Sequence, residues 1–232
     1  MSFERATGSR NNCPASSKGW TVLELLIVLV LILIISGLLS LVTGRIARVR
    51  KNTECLLNMR MTGQQLLAHA ADHNGRSVVA YYDVARSQRP GQSEVWHERL
   101  VRGGYLEKSQ REKIVCSSYD PFSYDTAHSK AAMYTYGLRR FSGAATYDPA
   151  YQGSKVSNPS SYILLADSYS KAEKRQFYYL SWPGTGNAVK IHLRHDGKAH
   201  LFFADGSARA LNKEEIVALN DGWSPGICHD DL

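Results

Sequence analysis

Residues 18–26, KGWTVLELL, begin the stretch that decides the fold, and residues 22–42, VLELLIVLVLILIISGLLSLV, complete it. The second range carries a single charged side chain, Glu24. A helix needs about 20 apolar residues to cross the hydrocarbon core of a bilayer. The composition therefore predicts a single membrane-spanning helix over residues 22–42.

The order of features around this helix differs from that of a secretory signal peptide. In a signal peptide the small-residue cleavage site follows the apolar stretch. Here the small residue, Gly19, comes before the apolar stretch and directly after Lys18. This order predicts a leader, residues 1–19, whose removal leaves Trp20 as the new N-terminus.

Glu24 is the unusual residue of the segment. A carboxylate near the end of a membrane helix costs up to a few kcal/mol, less near the interface, and needs a cationic partner. Removal of the leader creates an amino group on Trp20, and in a packed array this group of one subunit could meet Glu24 of its neighbour. The alternative is a Glu24 side chain that extends towards the lipid headgroups.

Residues 18–26 closely resemble the type IV prepilin signature, in which a short basic leader ends in Gly and Glu is the fifth residue after the cut. That Glu is Glu24 here, whereas Trp20 stands where Phe or Met is commoner. The resemblance implies cleavage by a prepilin peptidase and N-methylation of the new terminus. It also implies assembly with other pilin-like subunits by side-by-side packing of the apolar helices.

Two signals disagree about topology. The positive-inside tendency would not place the leader in the cytoplasm, because four basic residues follow the apolar segment. These are Arg45, Arg48, Arg50 and Lys51. We follow the family resemblance, which implies a single-pass protein of the bacterial inner membrane with a cytoplasmic leader and an extracytoplasmic globular domain, later part of a filament.

The helix is predicted to continue beyond the membrane segment. No proline occurs from Gly44 to His73, and apolar residues recur there at roughly helical spacing. Asn74-Gly75 then supplies a C-terminal stop. Three glycines each weaken the helix by up to about 1 kcal/mol: Gly37, Gly44 and Gly63. The predicted parts are the leader at 1–19, a long helix at 20–74 and a globular domain at 75–232.

The globular part shows β-type stretches between Gly, Pro, Ser and Asp clusters, so the expected fold class is α+β. The pilin resemblance implies that the second half of the long helix packs on a small antiparallel sheet. A short helix is expected from Glu94 to Leu106, ending at Gly103-Gly104. The expected strands before residue 185 are Val78–Tyr82, Met133–Tyr136, Tyr162–Ala166 and Phe177–Trp182.

Two Asp-Gly pairs, Asp196-Gly197 and Asp205-Gly206, predict two-residue hairpin turns. They separate three antiparallel strands: Val189–His195, Lys198–Ala204 and Ser207–Leu211. In this register His195 faces Lys198, Leu193 faces His200 and Ile191 faces Phe202. One face would then pack on the helix. It carries Val189, Ile191, Leu193, Phe202 and Ala204.

The spacing of His195 and Asp205-Gly206 resembles the His-x9-Asp-Gly motif of a large subgroup of pilin-like proteins. That subgroup is usually described as type II secretion pseudopilin-like, with many members from planctomycete-type bacteria. The stretch Ile163–Ser168 also looks like that subgroup. The motif refines the family and implies little about mechanism.

Histidine and carboxylate side chains near the hairpins raise the question of a metal. His195 and Asp205 would lie about 20 Å apart at opposite ends of one strand, too far to share an ion. We therefore expect no metal and no cofactor, with the Asp residues forming turns and His195 packing at a strand end. Some pseudopilins bind calcium, so a calcium site near Asp120 or Asp167 is a second hypothesis.

Four cysteines occur, and Cys13 would leave with the leader. The remaining three allow one disulfide and one free thiol in an oxidising compartment. We expect Cys116 to pair with Cys228, since both fall in the globular part. The alternative is three unpaired thiols, Cys55 among them.

The leading functional hypothesis is a structural subunit of a type II secretion pseudopilus or type IV pilus-like filament, and not an enzyme. No nucleophile elbow, phosphate-binding loop or His-Glu-x-x-His motif occurs. The alternatives are a filament-tip module that captures DNA, polysaccharide or a secreted substrate, and a membrane-tethered enzyme. The net charge of +7 includes no dense basic tract apart from the membrane flank, so nucleic acid is not an expected partner.

Overall fold

The structure is a computed structural model, and it describes residues 19–82, 94–124, 131–140, 152–181, 189–219 and 227–228. Side chains are outside this description at residues 39–45, 81–82, 131 and 227–228. The predicted leader lies outside the described residues except for Gly19. The chain divides into two compact units, Met1–Ala47 and Arg48–Leu232.

The first unit contains the start of helix α1 (Val22–Asp72). The large apolar side chains from Val22 to Leu38 are between 40% and 86% exposed, on all sides of the helix. Within the part of the chain that the structure describes, no helix combines the length and the hydrophobicity needed to cross a membrane. The side chains of residues 39–42, the end of the predicted membrane segment, lie outside the described residues.

The end of α1 is where the sequence placed it. The backbone turns left-handed at Asn74 (φ 55°) and Gly75 (φ 73°), and the Gly75 N–H donates to the Ala70 carbonyl at 2.8 Å. Glycine and asparagine are the residues that tolerate this conformation, and the hydrogen bond satisfies a carbonyl of the last turn. The predicted stop at Asn74-Gly75 is therefore confirmed.

The second unit is α+β, as predicted. In the described residues its helices after α1 are α2 (Trp96–Arg102) and α3 (Lys213–Ala218). α2 ends at Gly103-Gly104 as expected, but the predicted start at Glu94 is wrong, because Glu94 and Val95 form a short strand. Short 3-10 helices cover Lys108–Ile114, Ala131–Met133 and Gly153–Lys155. The strands are β1 (Tyr81–Tyr82), β2 (Glu94–Val95), β3 (Gly137–Arg139), β4 (Ile163–Ala166), β5 (Ser168–Ser170), β6 (Tyr179–Leu180), β7 (Val189–His192), β8 (Ala199–Phe203), β9 (Ala208–Leu211) and β10 (Ile227–Cys228).

These strands form three small sheets. The largest has the order β6-β3-β4-β8-β9, the second has the order β10-β7-β5, and β1 pairs with β2. All pairs are antiparallel except β3 with β6 and β7 with β10. Of the strands predicted before residue 185, the one at β4 is closely matched. The strands predicted at Val78–Tyr82 and Phe177–Trp182 are shorter, with two residues each in β1 and β6. The strand predicted at Met133–Tyr136 is displaced, because a 3-10 helix covers Met133 and β3 begins after Tyr136.

The first Asp-Gly turn has the predicted form. Asp196 (φ 51°) and Gly197 (φ 77°) are both left-handed, as a type I′ turn requires. His195 and Lys198 exchange two backbone hydrogen bonds of 3.0 Å across it. The predicted pairing of these two residues is confirmed.

The predicted hairpin does not continue beyond that pair, because Asp167 lies between its two strands. The His192 N–H donates to the Asp167 carbonyl at 3.0 Å, and the His200 N–H donates to Asp167 Oδ2 at 2.8 Å. These bonds replace the cross-strand bonds that β7 and β8 would otherwise make. The predicted pairs Leu193–His200 and Ile191–Phe202 are therefore wrong. The observed partners are Ser168 and Ile227 for Ile191, Ala210 for His200, and Leu165 and Ala208 for Phe202.

The second Asp-Gly turn is one residue longer than predicted. Phe202 pairs with Ala208, and the Phe203 N–H donates to the Ser207 carbonyl at 2.9 Å, which leaves a three-residue loop. Gly206 ends this loop in the left-handed region (φ 83°), as is usual for such loops. The two-residue turn expected at Asp205-Gly206 is therefore wrong.

The apolar residues of the hairpin region divide between two clusters. Phe202 and Ala204 pack with residues of α1, including Cys55, Met59 and Leu66, as the sequence predicted. Two residues expected on the same face pack instead in a second cluster with Leu201, Phe203 and Ile216. These two are Ile191 and Leu193, and the change follows from the transfer of β7 to the second sheet.

Gly63 is the point of closest approach between α1 and the five-stranded sheet. A methyl group built on its Cα would lie 2.2 Å from Cδ1 of Phe202. Both residues are buried, so neither has room to move aside. Gly63 is thus required by packing, although a glycine at this position weakens the helix itself.

We expect Gly63→Ala to destabilise the second unit by about 1 to 3 kcal/mol, because over-packing forces Phe202 to shift. Alanine favours helix by about 1 kcal/mol over glycine, so without the contact the sign would be the opposite. Urea unfolding followed by near-ultraviolet circular dichroism measures the change. Gln64→Ala, at the neighbouring exposed position, is the control. A stabilised Gly63→Ala variant would contradict the packing.

Candidate functional site

The N-terminal signature residues lie at the start of α1. Gly19 and Trp20 precede the helix, and Trp20 is 78% exposed. Oε2 of Glu24 accepts hydrogen bonds from the backbone N–H of Thr21 at 2.8 Å and from its hydroxyl at 3.0 Å. The Thr21 hydroxyl in turn accepts from the Glu24 N–H at 3.2 Å. Together these bonds are a capping box, which satisfies free donors at the helix N-terminus.

The capping box was not predicted from the sequence, although its sequence pattern is present. Thr21-Val22-Leu23-Glu24 has the Thr-x-x-Glu spacing that marks such a box before an apolar run. Glu24 therefore has a local role, starting the helix, in addition to any role between subunits.

A second candidate site is buried in the second unit around His195. His195 is only 3% exposed. The type I′ turn that follows it fixes its backbone. Nδ1 of His195 lies 2.9 Å from Oδ1 of Asn52 on α1, and Nδ2 of Asn52 donates to Asp196 at 3.2 Å. Because the Asn52 amide nitrogen is committed to Asp196, its oxygen accepts from His195, so Nδ1 carries a proton.

The other ring nitrogen of His195 points at two groups. Nε2 lies 3.2 Å from Oδ2 of Asp167 and 3.4 Å from the sulfur of Cys116. The His195 ring also stacks on the ring of His200, with centroids 3.8 Å apart. The imidazole of His195 thus lies between Asn52 on α1 and the carboxylate of Asp167.

Asp167 is the centre of this buried network. It is the single residue between β4 and β5, at the point where the chain passes from one sheet to the other. Its side chain is fully buried, with Arg194 Nη1 3.9 Å from Oδ1 and His200 Nδ1 3.9 Å from Oδ2. Arg194 is held in turn by the Ser168 carbonyl, to which it donates through Nη2.

The charges around Asp167 decide its protonation state. Burial alone would raise the pKa of the Asp167 carboxyl, but the guanidinium of Arg194, together with His195 and His200, holds that pKa well below its usual range. The same carboxylate outweighs burial at Arg194 and raises the pKa of the guanidinium. Asp167 and Arg194 are therefore a permanently charged pair inside the protein.

At His200, unlike at Asp167 and Arg194, burial outweighs the effect of the neighbouring charges on the pKa. It lowers the pKa of the imidazole to about 4, and the nearby Asp167 only partly offsets this. His200 is therefore neutral at pH 7 although it stacks on His195 beside a carboxylate.

The family-motif residues Asp205 and Gly206 lie apart from this network. Oδ1 of the exposed Asp205 accepts from the Ser207 N–H at 2.9 Å, so the side chain closes its own turn. His195, the third motif residue, has a different role, because it joins the turn after β7 to α1 and Asp167. The expectation that His195 packs at a strand end is met, but the extent of its buried network was not predicted.

Within the described residues, two overlapping sets of side chains have the spacing of metal ligands, with ligand atoms within 4.8 Å of one another. One set is Cys55, Cys116 and His195, and the other is Asp167, His195 and His200. Asn52 occupies Nδ1 of His195, so that only Nε2 remains and one set at most could hold an ion. The grouping of these side chains was not predicted, because Cys55, Cys116 and Asp167 are far from the hairpin histidines in the chain.

The two carboxylates considered for calcium have nitrogen neighbours. Asp120 pairs with Arg175 at 2.7 Å, and Asp167 is surrounded by Arg194 and two histidines. Calcium prefers six to eight oxygen ligands. These surroundings favour the expectation that the protein needs no metal, which stays a prediction.

Cys116, His195 and Asn52 are connected in the same order as the triad of a thiol protease. Burial argues against this use, because Cys116 and His195 are at most 3% exposed and a substrate could not reach the sulfur. Burial also raises the pKa of the Cys116 thiol well above its usual value, whereas a nucleophilic cysteine needs a lowered one. The buried contacts of Cys116, His195 and Asn52 connect elements of the core to one another.

We expect Asp167→Asn to destabilise the second unit by about 3 to 5 kcal/mol, because it leaves the Arg194 cation buried without its partner. Urea unfolding of the full chain in detergent measures the change. Asp205→Asn is the matched control, since asparagine can accept the same turn hydrogen bond, and its effect should stay within about 0.5 kcal/mol. Equal effects of the two substitutions would contradict the central role of Asp167.

Stability should fall as the pH is lowered from 7 to 4.5. Burial lowers the pKa of both His97 and His200 to about 4, so in this range the unfolded chain binds protons that the folded chain does not. The expected loss at pH 4.5 is about 2 kcal/mol for each histidine. His200→Asn should reduce the loss, as measured by urea unfolding at several pH values. An unchanged pH dependence in that variant would show that His200 is not responsible.

Comparisons with known proteins give no relative. No family model matches the chain, and no curated protein and no solved structure is significantly similar to it. The function is therefore inferred from the chain's own residues.

Proposed function

We propose that this chain is a structural subunit of a type II secretion pseudopilus or a related type IV pilus-like filament, processed by a prepilin peptidase. The observation that carries the proposal is the position of the apolar helix. α1 begins at Val22, three residues after Gly19, and its large side chains are exposed on every side as far as Leu38. Exposed apolar surface of this extent needs lipid or neighbouring subunits to cover it.

In the proposed life cycle, lipid covers the apolar helix first and neighbouring subunits cover it afterwards. The segment 22–42 first lies in the inner membrane, with residues 1–19 in the cytoplasm and the globular domain outside. After cleavage at Gly19, the apolar helices leave the lipid and pack side by side in the filament. The chain acts through its assembly, so that its partners are the peptidase and other pilin-like subunits.

The second unit supports the proposal because it buries one face of the C-terminal half of α1. Cys55, Met59 and Leu66 of the helix are all fully buried in the core beneath Phe202. The globular domain is thus built on the same helix that carries the apolar segment. An α+β domain of this kind is what the pilin resemblance implies.

Glu24 has two proposed roles, which a substitution can separate. Within one subunit Oε2 closes the capping box with Thr21. Between subunits the carboxylate would pair with the ammonium of a neighbouring Trp20. Glutamine can serve in a capping box but carries no charge, so Glu24→Gln removes only the second role.

The test is assembly in a host that supplies a prepilin peptidase and a filament assembly system. We expect Glu24→Gln and Glu24→Leu to be cleaved after Gly19 like the unsubstituted chain, and to yield at least 10-fold less filament in the sheared fraction. The reason is the lost ion pair, which leaves a neighbouring ammonium unpaired in an apolar surrounding. Immunoblotting of sheared and cell-bound fractions measures the result.

Thr21→Ala is the matched control. It removes the hydroxyl from the capping box, which costs about 1 kcal/mol of helix stability, but keeps the charge of Glu24. This variant should assemble. If Glu24→Gln assembles normally while Thr21→Ala does not, Glu24 acts by capping and the intersubunit pair is wrong. Failure of the unsubstituted chain to be cleaved at Gly19 would contradict the proposed function itself.

A further inference from the structure

The sulfur atoms of Cys55 and Cys116 lie 3.2 Å apart, and both residues are 0% exposed. Both are free thiols in this structure. Cys55 is on α1, and Cys116 follows the 3-10 helix Lys108–Ile114. The side chain of Cys228, the predicted partner of Cys116, lies outside the described residues.

The position of each sulfur is fixed by its own element. Cys55 sits in the buried face of α1 beside Met59, and its carbonyl accepts a hydrogen bond from the hydroxyl of Tyr136 at 3.2 Å. The backbone of Cys116 is held by the buried side chain of Gln176, which accepts from its N–H at 3.1 Å and donates to its carbonyl at 3.3 Å. The contact between the sulfurs is therefore set by the core.

Two chemistries use a buried pair of thiols, a metal site and a disulfide. Two thiolates on one zinc ion, with bonds of about 2.3 Å at tetrahedral angles, lie about 3.8 Å apart. The observed 3.2 Å is shorter. The third ligand of such a site would be His195, whose Nε2 faces the Asp167 carboxylate at 3.2 Å. The cation of Arg194 next to Cys116 also opposes a second cation there. A disulfide has an S–S bond of about 2.05 Å, so the two sulfurs need to approach by little more than 1 Å to form it.

We propose that Cys55 and Cys116 form a disulfide in the mature protein. This inference rests on the proposed function for one condition, an extracytoplasmic globular domain, because disulfides persist in oxidising compartments. The oxidant is the disulfide of a thiol-oxidising protein of that compartment. Cys228 is then the unpaired cysteine of the mature chain.

The exchange is balanced in two steps. The Cys55 thiolate attacks one sulfur of the oxidant, the oxidant's S–S bond breaks, and one oxidant thiolate leaves. The Cys116 thiolate then attacks the Cys55 sulfur of the mixed disulfide and releases the second oxidant thiolate. The two protons from the cysteines end on the two oxidant thiols, so the chain loses two electrons and the oxidant gains them.

Burial dictates when this exchange takes place. Because neither sulfur is accessible in the folded domain, the oxidant must react before the core around α1 closes.

The disulfide would tie α1 to the segment that begins at residue 116 and close a loop of some sixty residues. A cross-link over a loop of this length stabilises by restricting the unfolded chain. For a domain of this size the corresponding rise in melting temperature is about 10 °C.

Peptide mapping of the full chain from its native membranes tests the proposal. Free thiols are alkylated under denaturing, non-reducing conditions, and the chain is then digested with trypsin. The expected product is peptide 52–60 linked to peptide 114–130, with alkylated Cys228 in peptide 214–232. A link between peptides 114–130 and 214–232, or alkylation of both Cys55 and Cys116 without prior reduction, would overturn the proposal. One zinc ion per chain by elemental analysis, with both cysteines alkylated, would replace it with a metal site.

The same digest separates this proposal from the proposed function. A chain that begins at Trp20 with both cysteines alkylated contradicts the disulfide alone. A chain that retains residues 1–19 but carries the linked peptides contradicts the filament function alone.

In the purified protein, Cys55→Ala, Cys116→Ala and the double variant should each melt about 10 °C lower, with no further loss in the double variant. Cys228→Ala is the control and should melt like the unsubstituted chain, and equal melting of all four variants would overturn the proposal.

Discussion

The buried carboxylate of Asp167 is the constraint on which the arrangement of the second unit depends. Asp167 occupies the single position between β4 and β5, where its backbone carbonyl accepts the N–H of His192 and its carboxylate accepts the N–H of His200. The strands on either side of the His195 turn are thereby separated into two sheets. A buried ion pair of Asp167 with Arg194 adds little net stability, because both groups lose hydration, but an alternative arrangement would leave a charge unpaired. We infer that the network acts mainly by excluding other strand pairings.

The same network positions α1 against the sheets. His195, fixed by its turn and by Asp167, reaches Asn52 on the helix, while Gly63 allows Phe202 to approach the helix axis closely. Cys55 lies between these two contacts in the sequence of α1 and is brought to Cys116. One polar contact and one close apolar contact thus determine how the helix meets the sheet, and the pair of sulfurs follows from both.

Local signals in the sequence predicted local structure well. The end of α1 at Asn74-Gly75, the end of α2 at Gly103-Gly104 and the type I′ turn at Asp196-Gly197 all follow from residues that tolerate a left-handed backbone. The predictions failed where a distant residue decides the outcome. Alternating apolar residues indicate strands but do not say which sheet a strand joins, and Asp167, some 30 residues from the turn, decides that for β7. The three-residue loop at Asp205-Gly206 and the neighbours of His195 could not be predicted either, because contacts with distant residues determine them. The capping box of Thr21 and Glu24 was readable from local sequence alone.

The proposed function requires that the chain is made as a prepilin and becomes a filament subunit. The most direct measurement is the intact mass and the N-terminal residue of the protein recovered from its native membranes. We expect a chain that begins at Trp20 with a methylated amino group. A chain that still carries residues 1–19 would contradict it, and the function would then lie in the globular domain of a single-pass membrane protein.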